Sequence, residues 1–186
     1  MRRPFCIFLI TLLVALPSLA GQAAADQTDP RLDALFEELR VGDAQRAEEN
    51  VARIIDIWSD SQSDTVDLLF ERANLAASNG AFDLSLALLD HVTGLAPNFA
   101  QGYALRGTVR LTTEDRAGAI EDFSKALELE PRQFEVRTTL ADLLLSGGED
   151  RAAYEMFQKA LEWNPHDDYV RQQARTLRRQ IDGQEI

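Results

Sequence analysis

The sequence predicts an all-α fold, a solenoid of stacked antiparallel helix pairs, and three observations predict it. Pro97, Pro131 and Pro165 recur at a spacing of 34 residues, each closing an alanine-centred helical pattern. Ala119, Phe123, Ala126, Leu127-Glu128 and Pro131 match Ala153, Phe157, Ala160, Leu161-Glu162 and Pro165 at that same spacing, and Ser85, Leu89, Val92 and Pro97 match more loosely. Each unit also carries an internal break, at Asn79-Gly80, Thr113-Glu114-Asp115 and Gly147-Gly148-Glu149-Asp150. A break there divides a unit into two helices of about a dozen residues, the period of a helical repeat array. Glycine can end a helix with a positive φ, Asn or Asp can cap the next one, and proline stops the second helix and can start the following one.

The elements follow in order. Arg2 and Arg3 precede an almost wholly apolar run, Phe5 to Leu16, which Pro17 breaks. Ser18-Leu19-Ala20 and Ala23-Ala24-Ala25 supply small-residue cleavage patterns, so residues 1–25 read as a secretory signal peptide cut between 20 and 25. The run is too short for a comfortable membrane span, and no stable membrane insertion is expected after cleavage. Cys6, the only cysteine, lies inside it, so the mature chain has no disulfide to form and no thiol nucleophile. Gln22 to Pro30 is a small, polar linker. Leu32, Leu35, Phe36 and Leu39, then a Val41-Gly42-Asp43 turn, then Val51, Ile54, Ile55 and Trp58 predict a helical hairpin, so 26–60 is linker plus degenerate N-terminal hairpin. The polar break Ser59 to Asp64 lacks the central Gly and terminal Glu of a calcium loop and reads as a helix-capping linker.

Three units follow, at 66–99, 100–133 and 134–167. Alanine in the middle of the second helix of the last two units lets the partner helix approach, and the Phe four residues later fills the joint. A large residue at Ala119 or Ala153 is expected to overpack it. Residues 168–186 predict a capping helix and tail, with Tyr169, Val170, Ala174, Leu177 and Ile181 as its apolar stripe and Arg171, Arg175, Arg178 and Arg179 on its outer side. A solenoid needs such a polar outer face at its end.

Composition narrows function. The formal charge of -12 repels nucleic acid and anionic lipid, so neither is expected as a partner. Lys125 and Lys159 are the only lysines, an Arg-over-Lys bias that fits a GC-rich genome. His91 and His166 fall in different units, and the chain has no HExxH, no Gly-rich phosphate loop and no nucleophile elbow. The expectation is a protein that is not an enzyme and uses no cofactor or metal.

In these residues the chain resembles the tetratricopeptide repeat family. The small residue of the family's first helix is matched by Ala73, Gly107 and Ala141. The small residue of its second helix is matched by Ser85, Ala119 and Ala153, the large residue four later by Leu89, Phe123 and Phe157, and the closing proline by Pro97, Pro131 and Pro165. Arg137 replaces an early aromatic or leucine, Arg72 and Arg106 replace a leucine, and Arg110 replaces a later aromatic. Arg106 and Arg110, one turn apart, are read as pairing with nearby carboxylates or as contacting an acidic partner segment.

The resemblance implies a right-handed α-solenoid whose first helices line a concave groove for a protein partner. The groove residues it implies are Asp67, Phe70, Asn74 and Ser78 in the first unit, Gln101, Ala104, Thr108 and Thr112 in the second, and Glu135, Thr138, Asp142 and Leu145 in the third. Of the Lys, Arg and Asn positions with which some members clamp a peptide carboxylate, only Asn74 is matched. A mildly polar, acidic groove suits a neutral or basic peptide segment. The expected function is an interaction scaffold or adaptor in the cell envelope, in the periplasm of a Gram-negative bacterium. The other reading is a self-assembling structural protein, a homo-oligomer joined through solenoid ends. Phe82 and Phe99 are expected in joints, Trp58 in the core of the N-terminal hairpin, and Trp163 over the capping helix. Either tryptophan, if exposed, is a candidate binding anchor.

Overall fold

The computed structural model describes residues 29–184. The segment expected to be a signal peptide, Cys6 included, lies outside the described residues. Among the described residues all regular structure is helical. Helices α1 (Pro30–Val41) and α2 (Ala44–Trp58) form the N-terminal hairpin. Three pairs follow: α3 (Asp64–Ser78) with α4 (Phe82–Leu95), α5 (Ala100–Thr112) with α6 (Arg116–Leu129), and α7 (Phe134–Ser146) with α8 (Asp150–Trp163). Helix α9 (Asp168–Gln184) closes the stack. No helix among the described residues is long and apolar enough to cross a membrane.

Local chemistry sets the boundaries. Asp43, Asp115 and Asp167 accept the backbone N–H of Arg46, Gly118 and Val170 at 2.9, 3.0 and 3.0 Å, so each satisfies a free donor in the first turn of its helix. Pro97 and Pro131 sit in the turns after α4 and α6 and stop those helices, but α5 and α7 begin three residues later, so the prolines do not start the next helix. Within the pairs, Gly80 and Gly148 take φ of 74° and 78°, as expected of glycine at a helix stop. The same register position in the middle unit is Glu114, at φ 66°. A side chain there is strained, so Glu114→Gly is expected to stabilise the protein by about 1 kcal/mol, read as a higher urea midpoint at unchanged slope.

The joints are built as the small residues predict. Ala73, Ala119, Ala141 and Ala153 are fully buried, as are Leu89, Phe123 and Phe157. A Cβ on Gly107 would lie 2.7 Å from the Phe123 ring, so that phenyl packs directly on helix backbone. Ala119→Leu is accordingly expected to cost about 1–3 kcal/mol by overpacking, measurable in the same denaturation experiment.

The departures from the repeat pattern have physical substitutes. Arg137 donates from Nε and Nη2 to the Pro131 carbonyl at 3.2 and 2.6 Å. Tyr103, one unit earlier, donates to the Pro97 carbonyl at 3.3 Å, so the arginine does the tyrosine's work of tying a first helix to the preceding turn. Arg106 and Arg110 pair with carboxylates. Arg106 grips the buried Asp122 with two hydrogen bonds of 3.0 and 2.7 Å and reaches Asp90 at 2.8 Å on the preceding unit. Arg110 Nη1 lies 2.9 Å from Asp122 Oδ2, the oxygen that also accepts from Arg106 Nε. The three positions one unit later are Leu140, Leu144 and Met156, an apolar trio in the same place.

Helix α9 covers α8 with Val170, Ala174 and Leu177, all buried. Tyr169 is not in that stripe. It is exposed, and its hydroxyl donates to Asp142 at 2.6 Å. Partial desolvation of the phenol, and then the Asp142 carboxylate, push the Tyr169 hydroxyl up to about 12.

The N-terminal hairpin does not continue the stack ahead of α3. Its buried residues form one apolar cluster with Phe134, Ala141, Ala153 and Phe157 of the third unit. Phe36 meets Trp58 at 5.9 Å, Phe134 at 6.5 Å and Trp163 at 5.4 Å between ring centroids. Trp163 therefore packs on α1, where the sequence reading placed it over the capping helix. The anchor is polar as well. Trp58 Nε1 donates to the buried Glu130 carboxylate at 3.2 Å, Arg132 pairs with Glu130 and with Asp33 at 2.8 Å each, and its guanidinium lies 5.1 Å from the Phe36 ring centre. The linker allows this path. Gln62 adopts φ 63°, and Asp67 reaches back to accept Ser61 N and Oγ at 2.9 and 2.5 Å. Ser63, at the cap position of α3, makes no side-chain cap.

Candidate functional site

The first helices of the three pairs face α2 across a cavity of about 210 Å³. Phe70 and Asn74 of α3 line one wall, Gln101, Ala104, Leu105 and Thr108 of α5 the floor, and Glu135, Val136 and Thr139 of α7 the other wall. Ile55, Trp58 and Ser59, at the end of α2, form the far side, with Gln133 and Phe123 completing the lining. The shape follows from the fold. Stacked first helices leave a trough, and the hairpin docked on the third unit closes part of it.

Six of the twelve groove residues expected from sequence line this cavity: Phe70, Asn74, Gln101, Ala104, Thr108 and Glu135. The other six do other work. Asp67 holds the α2–α3 linker, and Asp142 holds Tyr169. Ser78, Thr112 and Thr138 return their hydroxyls to the carbonyls of Asn74, Thr108 and Phe134, one turn back. Leu145 packs against the apolar cluster shared with the hairpin. Repeat register does not point to the α2 residues, nor to Leu105, Phe123, Gln133, Val136 and Thr139. Repeat geometry carries no information about a hairpin that leaves the stack. The apolar stripe of α2 that ends at Trp58 was the only available signal.

The lining is polar, with amide side chains and one carboxyl. It includes Asn74, Gln101, Gln133 and Glu135, and neither Lys nor Arg. Gln133 spends its amide N–H on Gln101 Oε1 at 2.9 Å, which leaves its own Oε1 buried with no donor from the protein. A buried acceptor left unpaired is costly, so it marks a place where an incoming N–H is welcome. Glu135 is solvent-exposed at its edge of the cavity, but partial desolvation by the surrounding protein, and then the Asp167 carboxylate, raise its pKa. The ionised form is held at a disadvantage that a cation would relieve.

No nucleophile–base pair is assembled here. His91 is exposed on α4, and His166 sits in the turn before α9. Among the described residues no group of three or more His, Cys, Asp or Glu side chains is placed to hold a metal ion.

Comparisons with known proteins agree with this architecture. A tetratricopeptide repeat family model matches residues 111–179. A TPR repeat-containing protein of Rhizobium etli is 27% identical over 161 residues, covering 86% of this chain and 79% of that protein. Among solved structures, the Yersinia enterocolitica type III secretion chaperone SycD, in complex with a peptide of the translocator YopD, superposes with a TM-score of 0.59 at 17% identity. The match covers 63% of this chain and 95% of SycD. MamA gives a TM-score of 0.56 at 18% identity, covering 74% of this chain and 82% of MamA.

Proposed function

We propose that this chain, whose residues 111–179 match a tetratricopeptide repeat family model, is a protein–protein interaction module and a non-enzymatic adaptor of the cell envelope. In this reading it seats a donor-bearing segment of a partner protein in the cavity between α2, α3, α5 and α7. The observation that carries the reading is the pairing, in one cavity, of the orphan acceptor Gln133 Oε1 with the Glu135 carboxyl. A backbone N–H or side-chain amide satisfies the first and a Lys or Arg the second, so the fitting segment is neutral or basic. SycD, crystallised with a peptide, is a precedent for peptide binding on this fold. The envelope location rests on the expected signal peptide, and a fusion of residues 1–30 to a reporter active only after export tests it: an inactive reporter removes the location.

Peptide display against the full chain tests the site. Selected peptides are expected to be enriched in Lys and Arg and to lose at least tenfold in affinity on Glu135→Lys, about 1.4 kcal/mol. Peptides of unbiased charge that bind the variant equally well would place the interface elsewhere. The pH dependence has a definite sign. Glu135 binds its proton more tightly folded than unfolded. The residue therefore lowers stability as pH rises through its titration range. Glu135→Gln should stabilise the free protein at neutral pH, with the gain vanishing at pH below the ordinary carboxylate range. Binding of a basic peptide should show the opposite trend, strengthening as pH rises and Glu135 ionises.

A further inference from the structure

The first unit ends in a surface that every other first helix buries. In α5 the positions facing the preceding pair are Gly102 and Val109, both buried against α4. Their equivalents in α7 are Val136 and Leu143, buried against α6, and in α9 Val170 and Leu177, buried against α8. One unit earlier the same register gives Leu68 and Leu75 of α3, which are 49% and 64% exposed. The N-terminal hairpin, the one helix pair that precedes α3, is docked on the third unit. Among the described residues this end of the stack is therefore uncapped, whereas α9 caps the other end with arginines outward.

A charged group stands between the two leucines. Arg72 is the register equivalent of Arg106, which crosses the joint from α5 to α4 and donates to Asp90 Oδ1 at 2.8 Å and Thr93 Oγ1 at 2.7 Å. Arg72 is exposed and forms no ion pair among the described residues. Leu68, Arg72 and Leu75 lie on successive turns of one face, in the arrangement Gly102, Arg106 and Val109 use to hold a helix.

The geometry points to this face of α3 as a docking surface for an amphipathic helix of a partner protein, one that presents small or aliphatic residues with a carboxylate at the height of Arg72. The repeat itself shows the required chemistry. The α4 face that receives α5 carries Val92, Thr93 and Asp90, and the incoming helix must offer the same to α3. The surface is separate from the cavity of the proposed function and does not depend on it.

The probe is a hydrocarbon-stapled helix with the sequence of residues 81–97, tested on the full chain carrying a photo-crosslinker in place of Leu68. Saturable binding is expected, with crosslinks from position 68 to the peptide. Leu75→Lys and Arg72→Glu should each weaken binding about tenfold, and a peptide carrying Asp90→Arg should restore binding to the Arg72→Glu protein. Both variants change exposed side chains, and an unaltered circular dichroism melt confirms that they fold. No saturable binding at about 1 mM peptide, a limit set by weak-affinity arithmetic, overturns the assignment. So do crosslinks from position 68 to α2 of the same chain, which would mean the hairpin fills the end from within, and crosslinks to a second copy, which would make the end a self-association surface.

Discussion

Replacing Asp122 alone by leucine is expected to destabilise the protein by about 3–5 kcal/mol, while replacing it together with both its arginines is expected to restore most of that loss. Asp122 is buried; Arg106 takes both of its carboxylate oxygens, and Arg110 shares Oδ2. A guanidinium is not deprotonated in a protein, so both arginines stay charged when Asp122 is removed. A single substitution therefore leaves two guanidinium groups at a joint with their main counter-charge gone. The third unit shows the alternative, since Leu140, Leu144 and Met156 occupy the same three positions. The triple variant Arg106→Leu, Arg110→Leu, Asp122→Met copies that packing. Urea denaturation of the single and triple variants measures both effects. A triple variant no more stable than the single one would mean that the ion cluster contributes more than its replacement packing.

The second large effect is expected at Trp58. Trp58→Ala removes ring contacts to Phe36 and Phe134, at 5.9 and 5.6 Å, and a hydrogen bond to buried Glu130. Truncating a buried tryptophan typically costs about 3–5 kcal/mol. Here the loss should fall on the docking of α1–α2 more than on the stack. The hairpin reaches the rest of the protein through one apolar cluster and the Glu130–Arg132–Asp33 bridge. Limited proteolysis should cut the variant in the Ser59–Ser63 linker while residues 64–184 survive, and the remaining tryptophan, Trp163, should become more accessible to quenchers. Uniform degradation of the whole chain would show that hairpin and stack unfold as one unit.

The stack was legible in the sequence because its information is local and periodic. A proline every 34 residues, a small residue (Ser85, Ala119, Ala153) in each second helix and a breaker within each unit fix helix length, pairing and joint in turn. Arg106 and Arg110 broke the pattern in a way that sequence could only partly read, since their partner Asp122 sits on the other helix of the pair. The N-terminal hairpin was legible as a hairpin, its Val41-Gly42-Asp43 turn falling between α1 and α2 where Asp43 caps α2. Its place was not. That place depends on Trp58, Phe36 and Arg132 meeting residues such as Phe134 and Glu130 far along the chain, and on a left-handed Gln62 in the linker. The candidate site divides along the same line. Phe70, Asn74, Gln101, Ala104, Thr108 and Glu135 follow from repeat register, whereas Ile55, Trp58 and Ser59 enter the cavity only because the hairpin folds back.

The most direct test of partner binding in the α2–α3–α5–α7 cavity is in-cell photo-crosslinking from Gln101, Thr108 and Glu135, with exposed Glu121 of α6 as a control position, read by mass spectrometry. The expected result is one partner segment, rich in Lys, Arg or amide side chains, captured from the three cavity positions and not from Glu121. Capture from Glu121 alone, or of nothing but a second copy of this chain, would contradict it.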